Sequence, residues 1–172
     1  VKRRERLNEL IMKGNNKFLI QEANYTGLED RDAALSINYN FSLEDYAHES
    51  TDELYVNLNL EKELKNLKID LEERDAVSFK YEYAKDLTSS VSVEIPENYV
   101  VTFVPPNSKF EGDKFGYTLE YIKSGRNLTL GFKFHRDILQ MDVELFDQWN
   151  EMVKEANKAY KEVVIFKKRV KK

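Results

Sequence analysis

The chain has 172 residues, a formal net charge of -4 at pH 7 and no cysteine, which excludes disulfides, thiolate metal sites and a cysteine nucleophile within this sequence. Charged residues make up 34% and hydrophobic residues 41% of the sequence, as in an ordered globular domain rather than a disordered chain. No apolar run approaches the ~20 residues of a membrane-spanning helix, so no membrane span is expected.

The first residues predict a short helix that continues from an upstream domain. Apolar side chains recur at helical spacing in residues 3–13, "RRERLNELIMK", and Gly14 then provides a stop. The sequence begins without an initiator methionine or a signal-peptide core, so we expect a fragment of a longer protein. The predicted domain organisation is a helix or linker over 1–14 and a single β-sandwich domain over 15–172.

The middle of the chain predicts β-strands, because apolar and polar side chains alternate as they do on strands with one buried face. Turn sequences such as "GLEDRD", "DLTSS" and "KSGRN" separate the alternating segments. Residues 99–104, "YVVTFV", are apolar on both faces and predict a central strand covered on both sides. The alternating segments start at Phe18, Leu35, Leu54, Val77, Val91, Phe115 and Leu128.

An amphipathic helix is predicted over 142–161, where the apolar period becomes 3.6 and Asp142 is a plausible N-cap. Phe146, Trp149 and Met152 lie on its apolar stripe and are the candidate residues that anchor the helix on the sheet. The last segment, "VVIFKKRV", predicts a short strand or an extended tail. The predicted fold class is mainly β (α+β), an antiparallel sandwich, immunoglobulin-like or related, with a helix at each end.

No residue pattern for catalysis, a metal or a cofactor occurs in the sequence. His48 and His135 are isolated, and the six glycines are too scattered for a phosphate-binding loop. His48 is followed by Ser50 and Asp52, but such a composition is ordinary for a polar loop and no G-x-S-x-G elbow accompanies it. We therefore expect that this chain is not an enzyme by itself and holds no cofactor.

Aromatic side chains offer an alternative role in binding a glycan, because their rings stack on sugars. Aromatic residues at strand or helix spacing more often belong to the core, which is the favoured interpretation. Loops over 44–53 and 105–114 are the expected contact regions if the chain binds a glycan or a protein. The candidate stacking residues are Tyr25, Tyr46, Tyr55 and Trp149.

A charged cluster, Glu72, Glu73, Arg74 and Asp75, precedes the alternating segment "AVSFKYEYA". A general acid/base pair needs two carboxylates held together in a cleft, whereas adjacent glutamates point in different directions on an extended chain. The guanidinium of Arg74 can hold one carboxylate through two hydrogen bonds. The cluster is therefore a candidate structural latch at the start of a strand, and a solvated loop and a ligand site are the alternatives.

The order of four segments resembles a known family. They are "ERDAVSFKYEY", "VSVEIPENYVV", "VPPNSKFEGDKFGYTLEY" and the helical "FDQWNEMVKEANKAYKEVVIFKK". The chain from about Lys17 is similar to the C-terminal domain of uncharacterised function that follows the core of bacterial transglutaminase-like proteins, which also have a β-rich N-terminal domain. The motif residues that carry the resemblance are Arg74, Pro96, Tyr99 and Pro105.

The resemblance implies a non-catalytic accessory domain that packs on or orients a transglutaminase-like core, the partner being that upstream domain of the same chain. It implies that the cysteine, histidine and aspartate of such a core lie upstream, and that the protein is periplasmic, secreted or in the outer envelope. A glycan- or protein-binding β-sandwich module is the alternative function. The basic ends, residues 2–6 and 167–172, are expected to be solvated, so no nucleic-acid partner is predicted.

Overall fold

A computed structural model describes residues 18–27, 32, 34, 36–69 and 78–169 of the chain. The predicted mainly β, antiparallel character is confirmed, and the helix expected within 1–14 lies outside the described residues. The described strands are β1 (Phe18–Thr26), β2 (Ser36–Leu43), β3 (His48–Ser50), β4 (Glu53–Val56), β5 (Ser78–Lys80), β6 (Lys85–Glu94), β7 (Tyr99–Phe103), β8 (Ser108–Phe110), β9 (Phe115–Ser124), β10 (Asn127–Arg136), β11 (Gln140–Asp142) and β12 (Val164–Lys168).

The chain divides into two compact units, Val1–Tyr46 and Ala47–Lys172. The described strands of the first unit, β1 and β2, pair antiparallel. Apolar residues lie opposite one another in this pair, as Tyr25 does to Ile37, which places their side chains on the same face. The two-residue apolar period of the sequence thus becomes one apolar face of a hairpin.

Sheet I of the second unit has the strand order β3-β4-β12-β7, so the last strand in the sequence lies inside the sheet. β12 pairs antiparallel with β4 on one side and with β7 on the other. Val164 and Phe166 of β12 are buried in the core, and Ile165 between them points to the other face. The terminal segment that predicted a short strand or a tail is therefore a central strand.

The prediction that residues 99–104 form a central strand covered on both sides is wrong. Among the described residues β7 pairs with β12 alone, so it is an edge strand. Val100 and Phe103 are 37% and 42% exposed. Apolar residues on both faces of a strand therefore determine neither whether both faces are covered nor whether a second strand pairs on each side.

Sheet II has the order β6-β10-β9-β8 and contains the longest hairpin of the described chain. β9 and β10 pair without a register shift and turn at Gly125, whose positive φ of 58° suits a residue without a Cβ in a tight hairpin turn. Alternate β10 side chains are buried, and those between them point outward. The buried set is Leu128, Leu130, Phe132, Phe134 and Arg136.

The C-terminal helix α1 spans Phe146–Ala159 and follows a 3₁₀ turn at Val143–Leu145. It begins later than predicted because Asp142 belongs to β11, where it lies opposite Ser78 of β5. The Asp142 carboxylate accepts a hydrogen bond from Gln140 at 2.7 Å and makes no capping bond. The helix packs against β8 and β9, and its buried side chains join those of both sheets in one core.

Strand β4 ends at Val56, although the alternating pattern predicted a strand up to residue 60. The following segment, residues 57–69, has no regular structure and is held by polar side chains of α1. Asn150 accepts from the Ile69 backbone nitrogen at 2.7 Å and donates to its carbonyl at 2.9 Å. Such bonds satisfy backbone groups that a sheet would otherwise pair, which allows an irregular segment to lie against the core.

Candidate binding surfaces

The candidate latch, Glu72, Glu73, Arg74 and Asp75, lies outside the described residues, so its role stays a prediction. The described chain resumes at Ser78, which begins the short strand β5. β5 pairs with β11 in a two-stranded ribbon beside the start of α1.

The candidate anchor residues Phe146, Trp149 and Met152 lie in the core, each no more than 2% exposed. The Trp149 ring meets Phe115 edge-on, with ring centroids 5.2 Å apart. Its indole Nε1 donates to the carbonyl of Leu67 at 2.8 Å, so its polar atom is satisfied inside the protein. This burial removes Trp149 from the candidate sugar-stacking residues.

The histidine expected in a polar loop, His48, lies on the exposed edge strand β3. The carboxylate of Asp52 lies 3.5 Å from the Nζ of Lys167, and the His48 ring packs 6.1 Å from the ring of Tyr55. Within the described part of the chain, no group of three or more histidine, aspartate or glutamate side chains is placed to hold a metal ion.

The outer face of sheet I carries a row of ring-bearing and aliphatic side chains across all four strands. His48 lies opposite Tyr55, Tyr55 opposite Ile165, and Ile165 opposite Phe103. His48 and Phe103 are exposed, and the two residues between them are half-buried. We call these four residues the outer row. The sequence did not reveal it, because each strand contributes one residue and the four strands lie far apart in the chain.

Charged groups border the outer row. The Tyr55 hydroxyl donates to Glu53 at 2.6 Å, and this hydrogen bond, together with the negative charge of Glu53, raises the pKa of the phenol. Lys167 lies 3.7 Å from Glu53 on the neighbouring strand. Tyr55 therefore stays neutral at physiological pH, and its hydroxyl proton is held by Glu53 beside the other side chains of the outer row. This combination suits docking of a partner rather than proton transfer.

The outer face of sheet II has a cleft of about 390 Å³ lined by Asp86, Lys133 and His135, among others. Gly116 permits its shape: a Cβ there would lie 2.7 Å from the Phe110 carbonyl oxygen and 2.9 Å from Cε1 of His135. The predicted contact region 105–114 borders this cleft through Phe110 and its neighbours. Charges of both signs line the cleft, so it does not select a ligand by charge.

A second cleft, of about 260 Å³, lies between the edge strand β7 and the turn that joins β9 to β10. Lys123, Arg126 and Arg169 line it, with Glu97 as the acidic residue of the lining. We call it the basic cleft. Lys123 and Arg126 belong to the turn sequence "KSGRN" and Arg169 follows β12, so the cleft combines two segments that lie far apart in the chain, and the sequence did not predict it.

Within the described residues, the fold is mainly β with one α-helix. The sequence model of the family described as "Domain of Unknown Function with solved-structure structure" (DUF3858) matches residues 52–166, and the chain belongs to this family. The matched region begins just before β4 and ends within β12. Comparisons with curated proteins and with solved structures found no match. Among the described helices none has the length and apolarity needed to cross a membrane.

Proposed function

We propose that this chain is a non-catalytic accessory domain of a transglutaminase-like envelope protein, periplasmic or secreted, which packs on or orients the catalytic core. We further propose that sheets I and II are the layers of an immunoglobulin-like sandwich. The resemblance of four sequence segments motivates the link to transglutaminase-like proteins. The observation that supports docking is the outer row, in which Phe103 is exposed and Tyr55 and Ile165 are half-buried on one face of sheet I.

The position of the outer row in the chain favours an upstream domain as its partner. His48 lies one residue after Ala47, the first residue of the second unit, so the outer row includes the first strand of this unit. Docking of a domain of the same chain is an intramolecular event, whose effective concentration depends on the length and stiffness of the connection. Phe103 and Tyr55 provide the large aromatic contacts that anchor protein interfaces.

Thiol labelling tests this docking, because the present chain contains no cysteine. Thr102→Cys introduces an exposed thiol on β7 beside Phe103, replaces none of the four outer-row side chains and removes one exposed hydrogen bond, from the Thr102 hydroxyl to the Ile165 carbonyl. In the parent protein, maleimide labelling at this position should be at least about tenfold slower than in the isolated chain if the docked state is populated about 10:1. Peptide mass spectrometry separates this thiol from any cysteine of the core.

The matched control is Ser92→Cys, on the exposed outer face of sheet II. It should react at the same rate in the parent protein and in the isolated chain. Equal labelling rates at position 102 in both contexts would show that the outer row does not contact the core and would contradict the proposed packing.

The second candidate function, a glycan- or protein-binding module, is supported by the same row because Tyr55 combines a partly exposed ring with a hydrogen-bonded hydroxyl. Peptidoglycan fragments retained by the isolated chain at micromolar concentration, with retention lost in Tyr55→Ala, would favour this function over core docking. Retention that Tyr55→Ala leaves unchanged would argue against it.

A further inference from the structure

We propose that the basic cleft binds an extended acidic peptide segment, which adds as a strand to the open edge of β7. This binding surface shares β7 with the outer row, but it uses the edge of the strand near Tyr99 and Val101 and not the side chain of Phe103, and it does not depend on the proposed docking to a core. Three observations carry it: the charge of the cleft, the availability of its cations, and the direction of the backbone groups of β7.

The basic cleft concentrates positive charge on a chain whose net charge is -4. Arg126 is held in place, because its Nη2 donates to the Ile95 carbonyl at 3.1 Å and its guanidinium lies 3.4 Å from both Glu94 and Glu97. A guanidinium that is already held in place loses little conformational entropy when it binds a carboxylate. Its own acidic neighbours are exposed, so solvent weakens these pairs.

Lys123 and Arg169 supply the charge that remains available. Neither side chain forms an ion pair or a hydrogen bond with any described residue, and both are exposed at the cleft. Their charges are therefore available to an anionic partner. An electrostatically complementary partner gains affinity and a faster association rate, both of which decrease with salt.

The backbone of β7 distinguishes a peptide from a small anion. The Arg169 nitrogen donates to the Asn98 carbonyl at 2.7 Å, so these two residues form a hydrogen-bonded pair that extends the antiparallel ladder between β12 and β7. Hydrogen-bonding positions alternate along such a ladder, so the N–H and C=O of Val101 point away from β12 toward the open edge. The N–H of Tyr99 also points away from β12, since it donates to the Pro96 carbonyl and not to a β12 carbonyl.

An exposed edge strand with outward-pointing backbone groups is a template for strand addition. On an added strand, alternate side chains point to the same face and are ~6.6 Å apart. A peptide with an acidic residue at every second position therefore presents a line of carboxylates to the cations of the cleft. Its main-chain groups at the same time pair with β7.

The probe for the test is a fluorescein-labelled peptide of alternating Glu and Val, compared with a peptide of alternating Gln and Val, by fluorescence anisotropy on the isolated chain. The Glu peptide should bind at least about tenfold more tightly, and raising NaCl from ~0.05 M to ~0.5 M should remove most of the difference. Lys123→Glu and Arg169→Glu should each weaken binding several-fold, and together by more than about tenfold.

The matched control is Lys154→Glu, a charge reversal of the same size at an exposed position of α1, which should leave the affinity unchanged. A second probe tests strand addition: the Glu peptide with alternate backbone nitrogens methylated should lose binding, because it cannot donate to β7. Equal binding of the methylated peptide, equal binding of the Gln peptide, or equal weakening by the control would each overturn the proposal.

Discussion

The side chain of Tyr160 places a polar hydroxyl inside the core. It is 2% exposed, its ring packs 6.1 Å from the ring of Phe132, and its hydroxyl accepts a long hydrogen bond from the Leu64 nitrogen at 3.4 Å. Burial of the phenol raises the pKa of Tyr160 to about 12, because the ionised form loses its hydration; the bond from Leu64 opposes this rise in part. The folded protein therefore favours the neutral side chain.

This burial predicts a specific loss of stability in alkali. Because the pKa is raised in the folded state, the contribution of Tyr160 is fully present below about pH 10 and is lost as the pH rises toward about 12. Between these two pH values the free energy of unfolding should fall by on the order of 2 kcal/mol more in the wild type than in Tyr160→Phe. Urea unfolding at several pH values measures the difference.

Tyr83→Phe is the matched control for this measurement, since the Tyr83 ring is 64% exposed. Its pH dependence should follow that of the wild type. A curve for Tyr160→Phe that also follows the wild type would show that ionisation of Tyr160 does not limit stability in alkali.

The sequence could predict core residues better than surface sites. Trp149 lies on a stripe with a helical period, and such a stripe has to be buried whatever it packs against. The cations of the basic cleft carry no comparable signal, because a lysine or arginine on a strand or in a turn is ordinary in any surface. Only the pairing of distant strands brings Lys123 and Arg169 to the same cleft.

At the scale of the element, two glycines of sheet II lie in unlike surroundings. Gly116 of β9 is buried, and a Cβ there would lie 2.7 Å from the Phe110 carbonyl oxygen, a backbone atom that cannot move without shifting β8. Gly131 of β10 has open space, since the atom nearest to a Cβ added there would be the Glu120 carbonyl oxygen at 4.0 Å. Substitution of glycine by alanine should therefore change the free energy of unfolding in opposite directions at the two positions.

Gly116→Ala should lower the free energy of unfolding by about 1–3 kcal/mol, the usual cost of forcing atoms into a packed site. Gly131→Ala should raise it by about 0.5–1 kcal/mol, because alanine loses less backbone freedom on folding than glycine. Thermal and urea unfolding of both variants measure the two changes. Equal effects at both positions would contradict the close approach of β8 to Gly116.

The assignment of central and edge strands was the main failure of prediction at this scale. The apolar segment "YVVTFV" predicted a central strand, and the segment "VVIFKKRV" predicted a short strand or an extended tail. In the structure the first is the edge strand β7 and the second contributes the central strand β12. The side-chain pattern of one strand does not show which strands neighbour it, because neighbours in the sheet depend on contacts between distant segments.

At the scale of the whole molecule, sheet I depends on a strand from the end of the described chain. β12 joins β4 to β7, and no described strand other than β12 pairs with both. Its residues Val164 and Phe166 are buried with those of sheet II and α1. Removing β12 would separate sheet I into two parts and open the core.

A chain that ends at residue 161 should therefore lose its cooperative unfolding transition. The matched control ends at Arg169, which retains β12, and should unfold with a melting temperature close to that of the wild type. Circular dichroism during heating distinguishes the two outcomes. A cooperative transition at the wild-type temperature in the shorter chain would show that β12 is dispensable.

The central position of β12 also sets the order in which the protein can assemble during its synthesis. The ribosome completes β4 at Val56 and reaches β12 at Val164, an interval of 108 residues (164 - 56). At a synthesis rate of about 5–20 residues per second, β12 is made roughly 5–20 s after β4. Sheet I therefore cannot form cotranslationally from its early strands, and the nascent domain exposes their unpaired edges until β12 has left the exit tunnel.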